Sequence, residues 1–167
     1  MRAMPLSGRS ESQTYRLELF ATPDYAPKAD LADISKGGYV LSEPADVGLK
    51  KKAQAVIIAT GSEVELALNA QTVLAEQGVF VNVVSMPSTN VFDKQDAQYQ
   101  ASVLPQGLPR IAVEAGVSDG WYKYVGLNGA VIGLDRFGES APAELLFKEF
   151  GFTVDHVVEV VKNVLSA

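Results

Sequence analysis

The chain has 167 residues, 47% of them hydrophobic and 20% charged, with no cysteine and one histidine. This length and composition are typical of one globular domain. The missing cysteine excludes disulfides, thiolate metal sites and cysteine nucleophiles and is compatible with a cytoplasmic location, while the single histidine excludes a two-histidine metal site within one chain. The net charge of −6 argues against a nucleic-acid partner. No apolar run approaches the ~18 residues of a membrane span, which argues against a membrane.

Residues 1–30 differ from the rest of the chain, because they mix polar, apolar and proline residues without a sustained period. We expect them to form a leader or linker that is poorly ordered, or to be vector-derived. A regular pattern starts at residue 31, so residues 31–167 are the expected domain.

The domain begins with strand patterns. A helix turn stopped by two glycines precedes a short strand at 38–42. The second strand, at 53–59, has an unbroken apolar centre, which is typical of burial on both faces in a parallel sheet.

The first long helix follows the second strand. Ser62 and Glu65 have the spacing of a capping box, in which the serine accepts a bond from a helix amide and the glutamate bonds back to the serine amide. Loss of such a cap in Ser62→Ala would cost about 1 kcal/mol. Gly78 stands where the helix should end.

The second half of the domain continues the alternation. Strand patterns recur at 79–85, 110–115 and 130–134. Helices are predicted before Pro105, after Ser118, after Ser140 and after Thr153, with the last three residues as N-caps. Strands that alternate with helices across short loops predict an α/β layer fold with a largely parallel sheet.

The turn after the second strand is the first candidate site. Ligands of such sheets bind beyond the carboxyl ends of strands, and Thr60, Gly61 and Ser62 lie at such an end. Free amides of the following helix would favour an anion there. The spacing fits neither a Walker loop nor G-x-G-x-x-G, nor the G-x-S-x-G elbow of hydrolases. A corner of the fold is the first interpretation, and an adventitious anion site is the second.

Two further groups of residues are candidates. Glu114 and Asp119 flank Gly116 at the end of the fourth strand, where paired carboxylates can do acid–base work, although caps and surface charges explain them as well. Trp121, Tyr122 and Tyr124 form an aromatic cluster that could stack on a ligand or fill the seam between two domains. We treat these three residues as candidate interface residues.

The motifs SMPS, FDKQD, VEAG, WYKYVG and FGESAPAELLFKEFGFT occur together in the domain. In this combination they resemble the C-terminal domain of transketolase, from about residue 34 to the end. The resemblance implies a three-layer α/β/α unit with a mixed five-stranded sheet of order 1-3-2-4-5, in which strand 1 runs antiparallel.

The resemblance also implies a role. Transketolases transfer a two-carbon ketol unit between sugar phosphates with thiamine diphosphate and Mg²⁺, which are held by the two preceding domains. None of the motifs of those domains occurs here, so no catalytic, cofactor-binding or metal-binding residue is carried over. The implied role is assembly, with the other transketolase domains or a second copy in a homodimer as partner, and the chain alone is expected to be inactive.

Two other interpretations stay open. One is a stand-alone module that binds a nucleotide or another anion at the Gly61–Ser62 crevice, which a ligand-dependent melting shift would favour. The other is a small α/β hydrolase, against which the missing elbow motif and the lone His156 argue. His156 lies in the first turn of the last helix, where a structural role is favoured.

Overall fold

The computed structural model describes residues 31–44, 51–136 and 142–167. The strands are β1 Tyr39–Ser42, β2 Ala55–Ala59, β3 Val81–Ser85, β4 Arg110–Val113 and β5 Ala130–Ile132. The helices are α1 Leu31–Ile34, α2 Glu63–Glu76, α3 Thr89–Phe92, α4 Ala97–Val103, α5 Tyr122–Val125, α6 Ala143–Glu149 and α7 Val154–Ser166, and a 3₁₀ helix covers Ser118–Trp121. The leader expected at 1–30 and the cap expected at Ser140 lie outside the described residues.

The sheet has the predicted strands in the predicted order. Its order is β1-β3-β2-β4-β5. β1 pairs antiparallel with β3, whereas β2 pairs parallel with both β3 and β4, and β4 pairs parallel with β5. The fold class and the antiparallel first strand are therefore confirmed.

Helices cover both faces of the sheet. Side chains alternate between the faces along each strand, so that Ile57, Val83 and Ile111 join the apolar cluster formed with α2 and α7. The intervening residues Val56 and Ile58 join a second cluster on the opposite face. β2 is the central strand and all its residues are fully buried, which is the burial that its unbroken apolar run predicts.

The opposite face is covered by short helices. Phe92 of α3, Val103 of α4, Trp121 of the 3₁₀ helix and Tyr124 of α5 pack there against the sheet. The result is a three-layer α/β/α arrangement. The carboxyl ends of β2, β4 and β5 open onto the same edge, where the candidate residues of the sequence lie. Among the helices of the described ranges, none is both long and apolar enough to cross a membrane.

Candidate functional site

The turn at Thr60, Gly61 and Ser62 joins β2 to α2. Gly61 has a φ of +59°, a conformation that glycine adopts without strain. The amide of Glu63 donates to the carbonyl oxygen of Thr60 at 3.2 Å. One of the amides that an anion would need is therefore already bonded within the turn.

The predicted capping box is wrong. Ser62 has helical backbone angles, φ −69° and ψ −25°, and its side chain accepts no bond from a helix amide. A capping residue needs an extended backbone to aim its oxygen at the helix amides. The Oγ of Ser62 instead donates to Oε1 of Glu63 at 3.3 Å.

Two carboxyl groups lie at this edge of the sheet. Glu63 is the first residue of α2 and is only 5% exposed, and Glu114 directly follows the adjacent strand β4. The Oε2 atom of Glu114 is buried and has no hydrogen-bond partner among the described residues. Burial, and secondarily the charge of Glu63, raises the pKa of Glu114. This acidic environment works against the anion expected at Thr60–Ser62.

The sequence pattern pairs Glu114 with Asp119, whereas in the structure the charge that acts on Glu114 is that of Glu63. Asp119 lies exposed on the 3₁₀ helix. The capping pattern of Ser62 and Glu65 does not indicate a role for Glu63. The available signal was that both glutamates follow buried strands that are neighbours in the sheet.

Ser118 fixes the rim of this edge. It lies inside the 3₁₀ helix, where Val117 takes the N-cap position, so its predicted role as a cap is wrong. Its amide and its Oγ donate to the two carboxylate oxygens of Asp135, at 2.8 and 2.7 Å. These two bonds lower the pKa of Asp135. They tie the 3₁₀ helix to the loop after β5.

The three aromatic candidates lie in different environments. Trp121 and Tyr124 are buried in the chain's own core, with ring centroids 5.9 Å apart, whereas Tyr122 is 55% exposed. The hydroxyl of Tyr124 donates to Asp93 Oδ1 at 2.9 Å. Burial, and next the hydrogen bond to Asp93, raises the pKa of Tyr124 to about 12. Lys123 pairs with the other oxygen of Asp93 at 2.6 Å.

Tyr122 has two exposed apolar neighbours in sequence. Val117 and Leu127 have large exposed side chains. We call Val117, Tyr122 and Leu127 the 117–127 surface. Trp121 and Tyr124, which come from the same segment of the chain, are buried in the apolar cluster against the sheet.

The contacts of His156 are those of a residue with a structural role. Its ring Nδ1 lies 2.7 Å from the carbonyl oxygen of Gly151, and its amide donates to Oγ1 of Thr153 at 3.3 Å. The predicted cap at Thr153 is therefore confirmed. In the ranges 31–44, 51–136 and 142–167, no group of three or more His, Cys, Asp or Glu side chains is arranged to hold a metal ion.

This geometry defines an α/β/α domain with an acidic edge and an exposed apolar surface, and comparisons place it in a family. The model of the transketolase-like TK C-terminal domain matches residues 37–153. Transketolase 1 of Escherichia coli (strain K12) is 60% identical over 136 residues, which are 81% of this chain and 20% of that protein. Transketolase 1 of Pasteurella multocida (strain Pm70) is 57% identical over the same shares.

Solved structures agree with these matches. Transketolase from Pichia stipitis, in complex with sedoheptulose-7-phosphate, superposes with a TM-score of 0.73 at 41% identity, over 83% of this chain and 19% of that one. Transketolase from Leishmania mexicana gives 0.73 at 39% identity, over the same shares. The chain belongs to the transketolase family and contains its C-terminal domain. It spans about a fifth of the length of the relatives it matches.

Proposed function

We propose that this chain serves as the C-terminal assembly domain of a transketolase and that it transfers no ketol unit by itself. The proposal rests on the 117–127 surface, in which three apolar side chains are exposed. The three side chains come from one short segment of the chain, and exposed apolar side chains that gather in one place mark sites of contact with other proteins. Tyrosine is enriched and charged residues are depleted in the core of such contacts.

The buried residues of the same segment are suited to support a protein–protein contact. Trp121 and Tyr124 of the same segment pack in the core, and the hydroxyl of Tyr124 donates to Asp93. Lys123 lies within the same segment, but its charge is paired with Asp93. A segment that is held by such core contacts loses less conformational entropy when a partner binds. The proposed partners are the other domains of a transketolase or a second copy of the chain in a homodimer.

The cofactors belong to the rest of the enzyme in this proposal. Thiamine diphosphate and Mg²⁺ would be bound by transketolase domains that lie outside this chain, and the cofactor would supply the carbanion chemistry of ketol transfer. The described residues do not fit the metal, since no three or more of their His, Cys, Asp or Glu side chains are arranged to hold it. A cytoplasmic location is part of the same proposal.

A chimera tests the proposal. The C-terminal domain of the Escherichia coli relative is replaced by residues 31–167, and dimer formation and ketol transfer are measured with thiamine diphosphate and Mg²⁺. We expect the chimera to form an active dimer. Combined Tyr122→Ser and Leu127→Ser should weaken dimer formation and activity together. Leu145→Ser, which alters an exposed leucine of α6, is the matched control and should change neither.

The isolated chain provides the second half of the test. It should show no ketol transfer with sugar phosphates and both cofactors. Saturable binding of thiamine diphosphate to the isolated chain, measured by calorimetry, would contradict the proposal. Full activity of the chimera carrying Tyr122→Ser and Leu127→Ser would show that the 117–127 surface has no role in assembly.

A further inference from the structure

The environment of Glu114 suits a neutral carboxyl group better than a charged one. Its Oε2 atom is buried and lacks a hydrogen-bond partner within the described part of the chain. A charged oxygen in such a place loses its water without gaining a protein partner, which is strongly unfavourable. Binding a proton lowers that cost, because a neutral carboxyl group loses less hydration energy than a carboxylate does.

The backbone holds the side chain in this environment. The amide of Glu114 donates to the carbonyl oxygen of Ile132 at 3.1 Å, and its carbonyl oxygen accepts from the amide of Gly116 at 2.8 Å. Gly116 lies against the side chain, since a Cβ added there would be 3.5 Å from Cγ and Oε1 of Glu114. The backbone on both sides of Glu114 is therefore fixed by hydrogen bonds, and the loop after β4 lies against its side chain.

Glu63 is the second carboxyl group at this edge. It is buried at the start of α2, where the helix N-terminus attracts negative charge. Ser62 supplies a hydrogen bond to its Oε1. The charge of Glu63 thus has partners, whereas Oε2 of Glu114 has none. Two negative charges at the same edge of the sheet repel each other, so a proton on one of the two glutamates stabilises the pair.

Other charged groups on the packed elements do not neutralise Glu114. Asp135, in the loop after β5, is bonded to Ser118. Helix α7, which packs beside β4, contributes buried Val157 and Val161 to the core. Its charged side chains are exposed, and they are Asp155, Glu159 and Lys162. Burial and the charge of Glu63 both act on the pKa of Glu114 in the same direction, upward.

We propose that Glu114 is a proton-controlled latch at the carboxyl edge of the sheet. With its proton bound, Glu114 keeps its buried oxygen at this edge without a charge that Glu63 would repel. As the pH rises and the proton is lost, repulsion from Glu63 and the cost of a buried charge loosen this edge.

The sign of the pH dependence follows from the raised pKa. The folded chain holds the proton more tightly than the unfolded chain, so the contribution of Glu114 to stability is fully present below the ordinary pKa of glutamate, about 4.3. It is lost as the pH rises through the higher pKa of the folded state. The latch therefore makes the domain less stable above the folded-state pKa of Glu114 than below it.

The test measures urea midpoints of the full chain from pH 4.5 to pH 8.5. The wild-type midpoint should fall with rising pH. Glu114→Gln, which keeps the shape without the charge, should flatten this fall, and Glu63→Gln should reduce it. Glu65→Gln removes an exposed carboxylate from the same helix and should leave the fall unchanged.

A direct reading uses the carboxyl carbon signals of glutamate in an NMR titration of the wild-type chain. One glutamate should titrate above the others, and its signal should be missing in Glu114→Gln. The proposal is overturned if every glutamate titrates near 4.3 or if Glu114→Gln keeps the wild-type slope. It is also overturned if millimolar CaCl₂ raises the wild-type midpoint but not that of Glu114→Gln, because a cation would then occupy the place of the proton.

Discussion

At the scale of single residues, backbone conformation decides what Ser62 and Thr153 do. Both residues precede helices and both have side chains that commonly cap. Thr153 has an extended backbone, φ −125° and ψ 152°, and accepts a bond from the amide of His156. Ser62 already has helical angles because Gly61, with positive φ, has turned the chain before it. The sequence pattern predicts the helix start but not this shift of the turn.

The two residues therefore give different predictions. Thr153→Ala should lower the free energy of unfolding by about 1 kcal/mol, the usual cost of a lost N-cap. Ser62→Ala should change it by less than about 0.5 kcal/mol, as expected for an exposed residue without such a bond. Denaturant midpoints at constant slope measure both. A loss of about 1 kcal/mol in Ser62→Ala would contradict the observed geometry.

Trp121 and Tyr122 are adjacent, yet they have opposite environments. Neighbours in a helical turn point in different directions, while residues three apart share a face. Trp121 and Tyr124 thus pack together toward the sheet, and Tyr122 points outward. The sequence revealed an aromatic cluster, but which member faces the core depended on where the turn begins.

Trp121→Ala should therefore lower the free energy of unfolding of the chain itself, whatever its effect on assembly. Truncation of a buried tryptophan removes core contacts and leaves a cavity, at a cost of about 3 kcal/mol or more. Tyr122→Ala, at an exposed position, should cost less than about 0.5 kcal/mol. Thermal or denaturant unfolding of both variants would check this difference. Equal small losses would show that Trp121 is not part of the core.

At the scale of secondary-structure elements, the existence of all five strands could be predicted, but their ends could not. Gln54 was predicted in the second strand, yet it lies before β2, where its side chain and amide bond to Phe80. Glu114 was predicted in the fourth strand, yet its carbonyl oxygen accepts from Gly116 in a tight turn. Such ends depend on contacts from distant segments, which strand propensity does not encode.

The hydrogen bonds from Ser118 to Asp135 join the 3₁₀ helix to the loop after β5, and their contribution to stability can be tested. These two hydrogen bonds lower the pKa of Asp135, so the stability they contribute is present at neutral pH and is lost as the pH falls below the ordinary range of an aspartate. Ser118→Ala should remove part of that contribution. The difference in urea midpoint between wild type and variant should be larger at pH 6 than at pH 2.5. An equal difference at both pH values would mean that the bonds to Asp135 contribute nothing.

At the scale of the whole molecule, strand order decides which parts of the site could be foreseen. The alternating pattern predicts an α/β layer, and the family motifs predicted the order β1-β3-β2-β4-β5 that the structure has. The edge at Thr60–Ser62 was therefore placed correctly. The coupling of Glu63 to Glu114 was not found, because it needs both the parallel pairing of β2 with β4 and the burial of each side chain.

The 117–127 surface gives the last prediction, which concerns association of the isolated chain. Val117, Tyr122 and Leu127 expose apolar area that a second copy would cover, and burial of such area favours association. Sedimentation over a concentration series should show a reversible dimer. Combined Tyr122→Ser and Leu127→Ser should weaken the dimer at least about tenfold, equivalent to about 1.4 kcal/mol, without a comparable loss of folding stability. Leu145→Ser should leave the dissociation constant unchanged, because Leu145 lies on α6. If the chain stays monomeric at all concentrations, the 117–127 surface can contact only other transketolase domains. Equal weakening of the dimer by Leu145→Ser would show that association is nonspecific.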